Sequence, residues 1–273
     1  MSYSKRATRR SPKLVIFLID ESTSMLENSG AEPKHVVVDR AVNSAIEQLV
    51  TVCNRAEGVR DFVELGVVGY GGRDRDNPTL RSLLNTRSGA WTAPLSAVAE
   101  MASVVDNKAQ YVVSRPEGWT PMGAAVRLAG RLVNDWLVGH EDGPAPVIVN
   151  VTDGVPTDDD APEGPVDAWS AKLEGLSTSD GACLLLNVGA PAVNGARIER
   201  SIFPTSAEIP TSQGADRLWR ISSPLGEDLA PRAVQKGLLV AGSTASDRRL
   251  FAQGTDESLL DQIFDFGTEV RPH

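Results

Sequence analysis

Asp20, Ser22 and Ser24 stand at alternate positions immediately after an apolar run, in the segment Leu-Val-Ile-Phe-Leu-Ile-Asp-Glu-Ser-Thr-Ser at 14–24. All three are small oxygen donors. Hard oxygens converging on one point suit Mg²⁺ or Ca²⁺ and are a poor set for Zn²⁺, which takes nitrogen and sulfur. Two further places offer the same chemistry. Trp-Thr-Pro-Met-Gly at 119–123 supplies the Thr120 hydroxyl, and Val-Thr-Asp-Gly at 151–154 supplies the Asp153 carboxylate. Two carboxylates and three hydroxyls leave water and an open position on a divalent cation.

Singly, each segment has an ordinary reading. Asp20, Ser22 and Ser24 could tighten a strand-to-helix loop. Thr120 before Pro121 suits a helix N-cap, and it can act as cap and ligand at once. Asp153-Gly154 suits a turn. Their joint occurrence at chain-reversal points favours the metal site over three separate coincidences.

The elements that must position these residues follow from periodicity. The run 14–19 is too short to span a bilayer and suits a strand buried on both faces. Val38, Val42, Ala45, Leu49 and Val52 mark one face of a helix over 34–52. Strands are expected at 63–69 and 146–152, an edge strand at 79–84, and a strand at 182–188. A short helix is expected around 98–105, a firm one at 122–137, and another around 166–176. Beyond 190 the pattern weakens, with a short element at 218–222, a helix at 227–236, a last strand at 249–252 and a capped helix at 256–266. Strands alternating with helices predict an α/β fold: a doubly wound, mainly parallel central sheet with helices on both faces. If 14–19 and 146–152 are neighbours in that sheet, Asp20 and Asp153 meet at adjacent carboxyl ends, beneath the Thr120 loop.

The set Asp-x-Ser-x-Ser at 20–24, Thr120 in Thr-Pro-x-Gly, and Thr-Asp-Gly at 152–154 resembles the von Willebrand factor A (VWA) domain. The resemblance covers the chain from residue 13 onward and implies a Rossmann-like VWA fold with a metal ion-dependent adhesion site. It implies Ser22 and Ser24 as direct ligands, and Thr120 as ligand or near-ligand depending on conformation. Asp20 and Asp153 would hold coordinated waters or the metal. Mg²⁺ is the favoured ion, with Mn²⁺ or Ca²⁺ as alternatives. Trp-Thr-Pro-Met-Gly-Ala-Ala at 119–125, Val-Thr-Asp-Gly-Val-Pro-Thr-Asp-Asp at 151–159 and Phe-Asp-Phe-Gly-Thr at 264–268 are similar to a bacterial cytoplasmic subgroup. That subgroup is associated with protein kinases and phosphatases, which implies a signalling or stress role. Glu21 after Asp20, and Thr23 where relatives often carry Gly, depart from the pattern without removing a ligand.

The expected function is therefore a protein-binding module whose metal takes an Asp or Glu carboxylate from a protein partner, kinase or phosphatase signalling proteins among the candidates. It is not expected to be an enzyme. A metal-dependent hydrolase or phosphoryl-transfer enzyme on the same cation is the alternative. Against it, the chain has no Asp-x-Asp at 20–22, no Gly-x-x-x-x-Gly-Lys and no Gly-x-Ser-x-Gly. A metal-free scaffold is the third reading.

The bulk properties narrow the setting. With 273 residues, 41% hydrophobic and 23% charged, a sizeable core is expected. A net charge of −9 argues against a broad nucleic-acid surface. Lys5, Arg6, Arg9, Arg10 and Lys13 form the one basic cluster, and 1–12 is expected to be a disordered basic leader. The remainder, 13–270, is expected to be a single VWA domain with an elaborated segment at about 190–247. No stretch reaches transmembrane length, no signal-peptide cleavage pattern follows 14–19, and no membrane association is expected. Cys53 and Cys183 read as buried thiols, which with the absence of a leader signal suggests the cytoplasm. Asp158, Asp159 and Asp160 could attract a second cation, but a solvated acidic loop is the favoured reading. Trp91 and Trp119 are expected in loops bordering the crevice, as interface anchors or, at least equally, buried against the sheet edge, and His35, His140 and His273 are dispersed.

Overall fold

The computed structural model describes residues 3–86, 89–162, 164–191, 200–254 and 256–270. In chain order its main elements begin with β1 (Lys13–Asp20), α1 (Lys34–Cys53), β2 (Val63–Gly71), β3 (Thr79–Ser82), β4 (Thr92–Pro94), α2 (Leu95–Glu100) and α3 (Met122–Leu137). They continue with β5 (Val147–Thr152), α4 (Val166–Glu174), β6 (Leu184–Gly189), β7 (Ser201–Ile202), α5 (Ala215–Ile221), α6 (Gly226–Gln235), β8 (Phe251–Gln253) and α7 (Glu257–Thr268).

β1 is buried along its whole length, and its side chains divide by parity. Val15, Phe17 and Ile19 join the core beneath α1, α6 and α7, while Leu14, Ile16 and Leu18 join the core beneath α3, α4 and α5. A strand with two buried faces has no polar alternation, which is why the segment reads as one apolar run. The sheet order is β7-β8-β6-β5-β1-β2-β3, with β4 also pairing to β2. β1, β2, β5, β6 and β8 run parallel, whereas β3, β4 and β7 are antiparallel. The chain builds outward from β1 through β2 to β3, then returns to add β5 on the other flank. The switch point therefore lies between β1 and β5, where doubly wound sheets bind ligands beyond the strands' carboxyl ends.

The structure departs from the sequence expectations in several places. The helix expected over 98–105 ends at Glu100, and 103–105 pairs with 108–110 as an exposed hairpin. A hairpin tip at Asp106-Asn107, both with positive φ, ends the helical pattern. The basic leader is attached where a disordered one was expected. From Tyr3 it is docked on the 178–182 turn: the Ser4 and Lys5 amides donate to Asp180 at 2.8 and 3.0 Å, and Ala7 is buried. In the elaborated stretch, 192–199 lie outside the described residues. The remainder contributes β7, α5 and α6, and Trp219 anchors α5 with its indole N–H 2.8 Å from the Pro204 carbonyl.

Candidate metal centre

Asp20 closes β1 and is fully buried. Its Oδ1 accepts from the Ser22 amide at 2.8 Å, and its Oδ2 accepts from the Thr152 hydroxyl at 2.6 Å. The carboxylate thus ties the loop after β1 to the last residue of β5, across the switch point. Burial pushes the Asp20 pKa up to about 6, with the hydrogen bonds from Thr152 and Ser22 opposing the rise and the nearby Asp153 charge adding to it.

The two serines and the second aspartate come together in the same crevice. Ser22 Oγ and Ser24 Oγ are 2.9 Å apart, and Ser24 Oγ donates to Asp153 Oδ1 at 2.7 Å. Since Ser24 has one proton and gives it to Asp153, Ser22 donates within the serine pair. Both hydroxyls keep lone pairs for another ligand. Oxygens ligating one ion octahedrally at about 2.1 Å sit about 3 Å apart along each edge of the octahedron, and the serine pair has that spacing.

Thr120 lies in the loop above. A Cβ placed on Gly154 would be 3.4 Å from Thr120 Oγ1 and 3.9 Å from Asp20 Oδ2, so hydroxyl and carboxylate border one small space. The structure corrects the capping expectation for Thr120. α3 begins at Met122, with Pro121 at the cap position and no side-chain cap of its own. The open amides of its first turn are taken by Asp158, which accepts from Gly123 at 3.0 Å and Ala124 at 2.8 Å. Asp158 is therefore a buried helix cap, where a solvated acidic loop was expected. A carboxylate facing a helix N-terminus is favourable both as hydrogen-bond acceptor and against the macrodipole. The Thr120 amide donates to Thr157 Oγ1 and the Thr157 amide to the Thr120 carbonyl, both at 3.0 Å. The 119–125 and 151–159 segments are thus one interlocked unit. Asp159 pairs with Arg217 and Asp160 with Arg75.

The loop carrying Thr120 is clamped to the serine loop. The Thr23 amide donates to the Gly118 carbonyl at 3.0 Å and the Gly118 amide to Thr23 Oγ1 at 2.8 Å. Gly118 has φ +76°, and a Cβ there would stand 1.9 Å from the Gly72 carbonyl oxygen, so only glycine fits. Leu26 and Trp119, in these two loops, are 49% and 48% exposed. Trp91 is half-buried against the α3-side core.

Sequence reasoning missed two charged groups at the centre. Lys34, the first residue of α1, places its ammonium 2.5 Å from Asp153 Oδ2 and 2.8 Å from Glu27 Oε2. Its side chain is 6% exposed. Glu21, itself buried, pairs with the partly exposed Arg81 and also accepts from the Arg115 amide. A Cβ on Gly69 would lie 2.1 Å from Glu21 Oε2, so the glycine makes room for that carboxylate. A lysine at a helix start and a glutamate beside a ligand both read as surface residues, and no sequence signal distinguishes them.

The remaining candidates do no comparable chemistry. Ser114, His35 and Asp39 cluster, but Ser114 Oγ donates to Asp39 Oδ2 at 2.9 Å and is buried, so its proton is committed to a carboxylate and not to the imidazole. Burial lowers the His35 pKa, with Glu21 opposing. His140 stacks on Trp136, and His273 lies outside the described residues. Cys53 and Cys183 are free, buried thiols, pushed by burial up to about 11 and about 12. The Phe-Asp-Phe-Gly-Thr stretch forms the end of α7, where Phe264 and Phe266 fill the core. Among the described residues there is no cluster of three or more His, Cys, Asp or Glu able to hold a metal, and no helix long and apolar enough to cross a membrane. A metal here would depend on hydroxyls.

No protein-family model matches this sequence, and no curated protein does. Among solved structures the chain is similar to manganese-loaded TRAP protein from Plasmodium vivax, at 18% identity over 71% of this chain and 63% of that one, TM-score 0.38. It is similar to the PilB minor pilin of Streptococcus sanguinis, at 13% identity over 96% of this chain and 60% of that one, TM-score 0.45. It is also similar to the vWF domain of the type V pili tip protein Mfa5 from Porphyromonas gingivalis, at 15% identity over 56% of this chain and 40% of that one, TM-score 0.34. The chain thus spans less than two thirds of each of these structures. At these identities and TM-scores the likeness assigns this chain neither a family nor a role. The class that the sheet order defines is a doubly wound, mainly parallel α/β protein.

Proposed function

We propose that this chain is a metal-dependent protein-docking module. The observation that carries the reading is the joining of Ser22, Ser24 and Asp153 at 2.9 and 2.7 Å beside buried Asp20, at the sheet's switch point. Ser22 and Ser24 would be direct ligands, Thr120 would close the set from above, and Asp20 and Asp153 would hold the serines and coordinated water. A divalent cation in such a site, Mg²⁺ first and Mn²⁺ or Ca²⁺ next, supplies an electrophilic open position that a partner's Asp or Glu carboxylate can fill. The hydrogen bonds among Asp20, Ser22, Ser24 and Asp153 would orient that position.

The rim supports a protein partner. Leu26 and Trp119 are large apolar side chains left half-exposed on loops clamped together by the Thr23–Gly118 pair. Aromatic anchors beside a desolvated charge contact are what protein hot spots use. Ser114, the serine beside His35, gives its proton to Asp39, so it does not form an activated serine–histidine pair. A cytoplasmic bacterial signalling setting, with kinase or phosphatase partners, is part of this proposal; it is supported by the wording of the 119–125, 151–159 and 264–268 segments.

The test is calorimetric titration of metal-stripped protein with Mg²⁺, Mn²⁺ and Ca²⁺, alongside the Ser22→Ala/Ser24→Ala double variant. Wild type should give a binding heat that the equally folded double variant lacks. Proteins retained from the native cell by wild type should be released by EDTA and absent from the variant. EDTA-insensitive retention by the double variant would overturn the proposal.

A further inference from the structure

Lys34 is an unusual residue to find where it is. It opens α1, where the helix macrodipole disfavours a cation. Its side chain is buried in a crevice otherwise built of oxygens, and burial alone disfavours an ammonium. Two carboxylates compensate it, Asp153 accepting from the ammonium at 2.5 Å and Glu27 at 2.8 Å. The placement is also constructed: the 28–29 and 32–33 strands form a small hairpin, and the Lys34 amide donates to the Glu27 carbonyl at 2.9 Å. The hairpin brings the lysine to Asp153, 119 residues further along the chain.

The consequence lies in how Asp153 is used. One oxygen accepts from Ser24 and the other from Lys34, so the carboxylate is already neutralised at close range. A divalent ion arriving at Ser22 and Ser24 needs the negative charge of that same carboxylate, directly or through water. It would also stand beside a fixed positive charge in a poorly hydrated crevice, where repulsion is strong. The two cations compete for one anion.

We propose that Lys34 is a tethered cation that occupies the Asp153 side of the site and must let go of Asp153 when a divalent metal binds. The inference rests on the metal-docking reading and adds to it a residue that sets metal affinity. Lys34 holds the crevice together without metal, weakens metal binding, and links occupancy to the 27–34 hairpin through Glu27. Glu27, half-exposed, offers the released ammonium its other partner.

Two measurements test this. Calorimetry with MgCl₂ and MnCl₂ on metal-stripped wild type, Lys34→Met and Lys34→Arg should show at least tenfold tighter binding by Lys34→Met, with Lys34→Arg close to wild type. Lys34→Met should also melt lower than wild type in EDTA and recover when Mg²⁺ is added. In parallel, reductive methylation of wild-type lysines, read by mass spectrometry, needs no variant to fold. Labelling of Lys34 should rise at least threefold on adding Mg²⁺, against Lys108 on its exposed hairpin as internal reference. Equal, measurable affinities for wild type and Lys34→Met, or Lys34 labelling unaffected by bound metal, would overturn the role of Lys34 while leaving the metal site standing. Flat titrations for every protein would overturn the metal reading and this inference with it.

Discussion

Ser24 donates its hydroxyl proton to Asp153 Oδ1 at 2.7 Å, joining residues 129 positions apart. The bond aims the serine's lone pairs away from the aspartate and toward Ser22. Ser24→Ala removes this aim without leaving Asp153 unbalanced, because Lys34 stays on the other oxygen. The expected cost in fold stability is therefore only about 1 kcal/mol, that of an ordinary hydrogen bond. Metal affinity should fall by much more, roughly tenfold or greater, if Ser24 is a direct ligand as proposed. Urea denaturation and metal calorimetry on the single variant measure both, and an unchanged metal affinity would remove Ser24 from the ligand set.

Glu21 and Arg81 behave differently from a surface ion pair. Glu21 is almost wholly buried, while Arg81 retains contact with solvent. Arg81→Met would leave a buried carboxylate with the Arg115 amide as its remaining close donor. Breaking buried pairs costs about 3–5 kcal/mol, and the partial exposure of Arg81 puts this one toward about 2–3 kcal/mol. Glu21→Gln in the same chain should restore at least half of the loss, because the stranded charge is gone. A double-mutant cycle in urea decides it, and additive losses would show that the two residues act separately.

Asp158 predicts a local effect with a distant readout. Its carboxylate takes the Gly123 and Ala124 amides, and the neighbouring Thr157 holds Thr120 in a reciprocal pair. Asp158→Ala should destabilise the protein by about 1–2 kcal/mol, as for loss of an N-cap. Hydrogen exchange should accelerate at the Gly123 and Ala124 amides, and metal affinity should drop as Thr120 loses its fixed position. Asp158→Asn, which keeps one acceptor, should fall between. Fast exchange without any change in metal affinity would separate the cap from the site.

What could be read beforehand follows from how local the signal is. β1 was legible because both of its faces are buried, and α3 because Val126, Ala129, Val133 and Trp136 repeat along one face. Asp20, Ser22 and Ser24 were legible as a group because their spacing is short. Lys34 and Asp158 were not, since each owes its role to a partner brought in by tertiary folding, and its own neighbours in sequence suggest solvent. The helix expected to run on to 105 failed for a related reason. Val104 and Val105 continue an apolar pattern, yet they sit exposed on a hairpin whose turn at Asp106-Asn107 overrides it.

Asp39 gives the pH dependence. Burial lifts its pKa to about 6, against the hydrogen bonds from the Ser114 amide and hydroxyl, and Glu21 adds to the rise while Arg81 opposes it. The folded carboxyl is thus protonated at pH 5, where the unfolded one, near 3.9, is ionised. Between these values the folded state binds more protons, so this group's contribution is fully present below about pH 4 and lost as pH rises through about 6. A shift of this size corresponds to about 2–3 kcal/mol. His35, 4.0 Å away with a lowered pKa, works in the opposite sense, gaining stability as pH rises through its own range. Asp20 is raised to about 6 as well. The difference between wild type and Asp39→Asn cancels Asp20 and isolates Asp39 together with its coupling to the neighbouring His35. Measured by urea denaturation in EDTA from pH 4 to 8, Asp39→Asn should gain on wild type progressively up to about pH 6 and then run parallel to it. A difference that stays constant across the range would mean that Asp39 ionises in the folded protein as it does in the unfolded chain.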